Sequence, residues 1–152
     1  MDAKPLSLAD AAYIAGIIDG EGTVTLIRKH KNENRQLAVS VSNNERYLLE
    51  YLLKTIGMGK ITNKRVRRQN HAPNFTYALY NRQALWLLEQ VSAYLKTYKS
   101  LRAKLILANY IRLTPRNGKY TEELKSQRTA FEVAVLKIKP TMVITTNTIE
   151  TE

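Results

Sequence analysis

The sequence predicts an α+β domain in the order helix–hairpin–helix–hairpin–helices, with four antiparallel strands and extra helices at the C-terminal end. Three observations predict it. Apolar residues switch between helical spacing and strict alternation in a fixed order along the chain. The alternating stretches come in pairs joined by short turn-rich connections, which suit antiparallel hairpins. The chain has 152 residues and 44% hydrophobic content, enough for one domain with a real core.

Ser7-Leu8-Ala9-Asp10 fits a capping box and starts the first helix. Leu8 to Asp19 is apolar on almost every face, the pattern of a helix buried on more than one side, and Gly20 and Gly22 end it. Thr23 to His30 alternates as a strand, with Val24 and Leu26 facing one way and Thr23 and Thr25 the other. Lys31-Asn32-Glu33-Asn34 turns the chain into a second strand, Arg35 to Ser42, where Leu37, Val39 and Val41 alternate with Gln36, Ala38, Ser40 and Ser42.

Ser42-Asn43-Asn44-Glu45 is a second capping-box match, followed by helical spacing through Leu48, Leu49, Leu52, Leu53 and Ile56 up to Gly57. Gly59 opens another strand pair, Lys60 to Arg68 and Asn74 to Tyr80. Helices follow over Arg82 to Leu95, over Lys99 to Leu113 before Pro115, and over Thr121 to Ile138 before Pro140. The two helix–hairpin units read as a pseudo-repeat. Residues 1–140 form a single domain in this reading, and the Thr-rich stretch 141–152, lacking a core pattern, is a flexible tail.

Lys and Arg number 24 against 13 Asp and Glu, a net charge of +11. Glu150 and Glu152 are the only charges after Pro140, so the body carries +13. Such an excess suits a polyanion, above all nucleic acid; the bland alternative is a basic surface kept for solubility. The absence of cysteine excludes a disulfide scaffold, a zinc–thiolate site, an iron–sulfur cluster and a thiol nucleophile. No apolar run is long enough to span a bilayer, and the N-terminus lacks a signal pattern. A soluble intracellular protein is expected, in cytoplasm, nucleoid or organelle, with no membrane partner.

Helices on one face of the sheet leave the other to a partner or to water. Lys60, Lys64, Arg65, Arg67 and Arg68 place five cations in nine residues, and Arg28, Lys29, His30 and Lys31 crowd the end of the first strand. Gln36, Ser40 and Ser42 add neutral donors and acceptors. A strand ribbon fits the major groove, where cations meet phosphates and Gln, Ser, Thr or Arg meet base edges. The competing reading is a solvated face that blunts strand edges.

The segment Ile14-Ala15-Gly16-Ile17-Ile18-Asp19-Gly20-Glu21-Gly22 carries the chemistry. Ala15 and Gly16 permit close helix approach, and Ile14, Ile17 and Ile18 fill the contact. Gly20 and Gly22 allow positive φ and close approach at the floor of a site. Asp19 and Glu21 are either solvated carboxylates at a turn or ligands that hold a hard divalent cation together with phosphate oxygens.

This segment resembles the LAGLIDADG motif of the homing endonuclease family, and Leu8 to Leu113 is similar to that family's αββαββα core. The resemblance implies a saddle-shaped antiparallel sheet over the major groove of double-stranded DNA and metal-dependent hydrolysis of both strands at a long pseudo-palindromic target. It implies Mg²⁺ as cofactor, with Mn²⁺ able to substitute, and Glu21 as metal ligand. Only one motif is present, so it implies a homodimer through the motif helix, with Ala15, Gly16, Ile17 and Asp19 at the interface. Two catalytic residues follow from it less directly. Asn43 either organises water near the metal or caps the following helix. Lys99 stands near the scissile phosphate or is a solvated helix-start cation, with Lys96 and Tyr98 as rivals for that place. The DNA contacts it suggests are Arg28, Lys29, Gln36, Ser40, Lys60, Lys64, Arg65, Arg67 and Arg68. A non-cleaving intron maturase or DNA-binding regulator is the alternative, with intron RNA as a further partner.

His30 and His71 lack companions for a zinc site. Glu123-Leu124-Lys125 reads as an exposed helical face. Tyr47, Tyr51, Tyr77 and Tyr80 read as packing residues, and Trp86 as core.

Overall fold

A computed structural model of the chain describes residues 3–64 and 73–140. The elements are α1 (Leu8–Glu21), β1 (Gly22–Ile27), β2 (Gln36–Asn43), α2 (Arg46–Ile56), β3 (Lys60–Lys64), β4 (Asn74–Tyr80), α3 (Asn81–Val91), a 3₁₀ turn (Ser92–Tyr94), α4 (Tyr98–Asn109) and α5 (Glu122–Lys137). The four strands form one antiparallel sheet in the order β1-β2-β4-β3. Arg65, Arg67, Arg68, His71 and the tail after Pro140 lie outside the described residues.

Alternation decides which side of the sheet is core. Val24, Leu26, Leu37, Val39, Val41, Tyr77 and Leu79 point inward and are buried against Ile14 and Ile18 of α1, Leu49 and Leu52 of α2, and Leu87 and Leu88 of α3. α1, α2 and α3 cover this face, while α4 and α5 pack at the β1 side. Among the described residues no helix is long and apolar enough to cross a membrane.

Ser7 caps α1 as expected, its hydroxyl accepting the Asp10 N–H at 3.1 Å. The helix does not stop at Asp19, however, but runs through Gly20 to Glu21. Neither Gly20 nor Gly22 has positive φ. Gly22, at φ −102°, is extended, and its constraint is proximity. A Cβ there would lie 2.8 Å from the Ile18 Cα and 2.9 Å from its carbonyl oxygen. Only glycine lets the strand leave the helix so tightly.

The second capping box does not form. Glu45 occupies the N-cap of α2 without a side-chain bond, and Asn43 ends β2 instead, its Oδ1 accepting the Glu45 N–H at 2.7 Å. Gly57 ends α2 in the left-handed conformation, φ 78°. β1 stops at Ile27, so Arg28, Lys29 and His30 belong to the connection rather than the strand. α1 is not buried all round: Leu8, Tyr13, Gly16 and Gly20 are exposed.

Candidate nucleic-acid interface and metal site

The outer face of the sheet is a lattice of short polar side chains with cations at its margins. Register aligns Thr23, Ser40, Ala78 and Lys60 across all four strands, and Ser42, Thr76 and Thr62 across three. Ser42 Oγ and Thr76 Oγ1 are 2.8 Å apart and share a hydrogen bond. Tyr80 lies in the row of Ala38 and Thr25 and is 45% exposed. Of the predicted contacts, Gln36, Ser40 and Lys60 stand on this face, and Arg28 and Lys29 are exposed beside it. Lys64 closes β3 opposite Asn74. Thr23, Thr25, Thr62, Thr76 and Tyr80 share the face although the sequence reading did not select them. The alternation of β1 and β4 carried that signal; the reading weighted cations instead.

Two of the tyrosines assigned to packing are at the surface: Tyr80, and Tyr47 at 83% exposure on the solvent side of α2. Tyr77 is buried, and its hydroxyl donates to the Met58 carbonyl. Tyr51 donates to Asp10 Oδ1 at 2.9 Å; burial and that bond push its phenol up to about 12. Trp86 is partly buried against the core.

At the sheet's edge, the C-terminus of α1 meets the N-terminus of α4. Asp19 reaches across: its Oδ2 accepts the Lys96 N–H at 2.8 Å, and its Oδ1 accepts the Thr97 N–H at 3.1 Å and hydroxyl at 2.6 Å. Lys99 reaches back, its Nζ donating to the carbonyls of Ile18 at 2.8 Å and Asp19 at 2.9 Å. An anion thus faces the positive end of one helix and a cation the negative end of the other. Burial works to raise the Asp19 carboxyl, but the bonds from Thr97 and Lys96 and the Lys99 charge outweigh it, and the group ends below its ordinary value. Burial lowers the Lys99 ammonium, against the pull of Asp19 and Glu21.

Lys99, 7% exposed, is bonded to the end of the motif helix, whereas Lys96, its rival for the place near the phosphate, is exposed. Asp19 spends both oxygens within its own chain, where it fastens the helix end to α4. Of the helix positions expected at a homodimer interface, Ala15 is fully buried and Ile17 is 9% exposed within the single chain. Gly16 faces outward, where a Cβ would meet nothing within 4 Å. Asn43, at the end of β2, makes its turn bond through Oδ1, and its Nδ2 has no partner among the described residues.

Glu21, the last residue of α1, is exposed and has no hydrogen bond or ion pair among the described residues. Also among the described residues, no cluster of three or more His, Cys, Asp or Glu could hold a metal. At this sheet edge one chain therefore offers one free carboxylate among the described residues, a donor set that suits a hard divalent ion bound by few protein oxygens and completed by phosphates.

The α+β core, the polar outer sheet face with cations at its margins and the exposed carboxylate at the end of α1 are the features of a protein that binds nucleic acid on a sheet. The chain belongs to the LAGLIDADG endonuclease family, whose pattern it matches over residues 14–114. Its fold is similar to the homing endonuclease I-CvuI in complex with its target, at 17% identity over 87% of this chain and 83% of that one, TM-score 0.69. It is similar to the archaeal intron-encoded homing endonuclease I-Vdi141I complexed with DNA, at 17% identity over 86% and 84%, TM-score 0.65. It also resembles the DNA-bound meganuclease I-SmaMI, at 16% identity over 81% of this chain but 43% of that one, TM-score 0.63. A comparison with curated protein sequences returned no match.

Proposed function

We propose that this chain is a site-specific double-strand DNA endonuclease that works as a homodimer with Mg²⁺. The observation that carries the reading is the free Glu21 carboxylate at the rim of the polar sheet face, on a helix end locked by Asp19 and Lys99. Family membership supports the endonuclease, and the polar lattice supports the major groove as its substrate surface.

The chain's own groups divide the work. Lys60, Arg28 and Lys29 meet phosphates and set the register on the duplex. Gln36, Ser40, Thr76 and Tyr80 face base edges. Glu21 would hold the metal together with phosphate oxygens. When bound, a divalent ion lowers the pKa of water and offsets charge on the phosphate. The Asp19–Lys99 clasp keeps Glu21 in place against the negative field of the DNA. Ala12, Gly16 and Gly20 make an exposed stripe of small residues on α1, flanked by the exposed apolar side chains of Leu8 and Tyr13, which supports pairing with a second copy. A dimer brings a second Glu21, one for each strand, and a two-fold target.

The test is selection from a randomised, palindrome-rich duplex library with Mg²⁺ and with Ca²⁺, beside Glu21→Gln. Specific double-strand cuts with Mg²⁺, lost in the variant while duplex binding persists, are expected. Retention without cutting favours the regulator, and no retention of duplex overturns the reading.

A further inference from the structure

Gln36 opens β2 on the outer face, where it lines an open concavity of about 420 Å³ with Ile27, Lys29 and Tyr80. A glutamine amide has one accepting and one donating end, and an unrestrained amide can present either to a base. Gln36 is restrained. Its Oε1 accepts from Asn81 Nδ2 at 3.3 Å, and Asn81 Oδ1 accepts from the Tyr110 hydroxyl at 3.1 Å. Tyr110 is 2% exposed, and the Arg128 guanidinium lies over its ring, 5.3 Å from the centroid. Thr114 Oγ1 accepts from Arg128 Nη1.

The order of this chain is set at its buried end. Arg128 is 2% exposed and held by bonds to the carbonyls of Leu113 and Arg35, and its guanidinium, which has no acceptor, lies over the Tyr110 ring. The Tyr110 hydroxyl donates to Asn81 Oδ1, and Asn81 Nδ2 donates to Gln36 Oε1. A flipped Asn81 would turn its donors to the buried Tyr110 hydroxyl and leave that hydroxyl's proton without an acceptor among the described residues. Asn81 itself sits at φ 53°, a left-handed conformation that asparagine tolerates and most side chains do not. Its place between Gln36 and Tyr110 is therefore fixed by the backbone as well as by its bonds.

We infer that this relay turns Gln36 Oε1 toward Asn81 and its Nε2 donors to the DNA, so that Gln36 selects guanine over adenine at the base it faces. Guanine offers two acceptors in the major groove, O6 and N7. Adenine read by glutamine needs Oε1 turned to its N6 amino group, whereas here Oε1 is turned to Asn81. The inference rests on the endonuclease reading of the sheet and adds a base-choosing device to it.

The experiment uses the same duplex selection on four proteins. Gln36→Ala identifies the target position that Gln36 governs, and the wild type is expected to select guanine there. Asn81→Asp keeps a residue that tolerates the left-handed backbone but removes the donor. Gln36 then turns Nε2 to the carboxylate and presents Oε1. Preference at that position is expected to move from guanine to adenine or cytosine, both amino donors, by about tenfold in relative enrichment. Asn81→Gly keeps the backbone and removes both groups, and the preference is expected to flatten. Circular dichroism and thermal melting establish that each variant folds; should Asn81→Asp fail, Asn81→Gly decides. Adenine selected by the wild type, no position governed by Gln36, or a guanine preference unchanged in the folded Asn81 variants overturns the inference alone. A wild type that retains no duplex overturns the reading of the sheet, and the inference with it.

Discussion

Asp19→Asn separates the two carboxylates of the motif, one holding the fold and one left free. The aspartate receives three hydrogen bonds at the N-terminus of α4, one on Oδ2 and two on Oδ1. An amide keeps one oxygen and turns its NH₂ toward a donor, so either the Lys96 bond or the Thr97 pair is lost. A bond to a charged group contributes roughly 1.5–3 kcal/mol. Halved for a carboxylate that is partly exposed, the smaller loss is about 0.8–1.5 kcal/mol. Losing the charge at a helix N-terminus adds about 0.5 kcal/mol. The total of about 1.3–2 kcal/mol corresponds to a fall in Tm of roughly 3–8 °C for a chain of this size.

The pH dependence adds a second check. The folded carboxyl lies below its ordinary value, so its stabilisation is complete above the unfolded pKa of about 3.9. It shrinks as pH falls below that value and is lost once pH passes through the lowered folded pKa. Thermal melts of wild type and Asp19→Asn should therefore differ at neutral pH and converge in acid. Glu21→Gln should melt like the wild type at both. A Tm change under about 1 °C at neutral pH, or a gap that persists in acid, would refute the clasp.

Three further outcomes follow from the packing around Gly22, Arg128 and Gly16. Gly22→Ala must move a Cβ that lies 2.8 Å from the Ile18 Cα, so it should cost about 1–3 kcal/mol in chemical denaturation despite an ordinary φ. Arg128→Ala strands Glu132, 6% exposed, without the partner that bonds it at 3.0 Å, and should cost about 3–5 kcal/mol by the same assay. Gly16→Leu enters open space in the protomer and should leave its circular dichroism unchanged while reducing the dimer mass in sedimentation; an unaltered mass would refute the α1 interface.

The sequence made the elements legible because each is announced locally. Asn74 to Tyr80 alternates cleanly and appears with those bounds, and Pro115 and Pro140 bracket the region that holds α5. Boundaries failed where long-range geometry overrides local pattern. Ser42-Asn43-Asn44-Glu45 has the residues of a capping box, yet Asn43 is bound into the ladder opposite Phe75, and the helix starts later. Gly20 looks like a helix stop, but Lys99, 81 residues from Ile18, holds the end of α1 and carries it to Glu21. Those contacts join positions that no local window contains.

The same distinction divides the site. The place of Glu21 at the exposed end of α1 was legible because it lies in a nine-residue motif. The bonds of Asp19 and Lys99 were not, because each is made to a helix end brought from elsewhere in the chain: Asp19 and Lys96 are 77 residues apart. Charge counting drew attention to cation runs, which mark where phosphates are met. The interior of the outer face is occupied mainly by Thr, Ser, Gln and Tyr, whose side chains are neutral. That division is what a sequence-reading surface requires. Phosphate contacts hold any duplex alike, whereas discrimination needs directional groups whose donors and acceptors are held in one orientation. Gln36 meets that requirement through Asn81 and Tyr110. The buried Arg128 anchors α5 to the approach of β2 at Arg35, while the buried Tyr110 hydroxyl, through Asn81, sets the polarity of Gln36 on the outer face of the sheet.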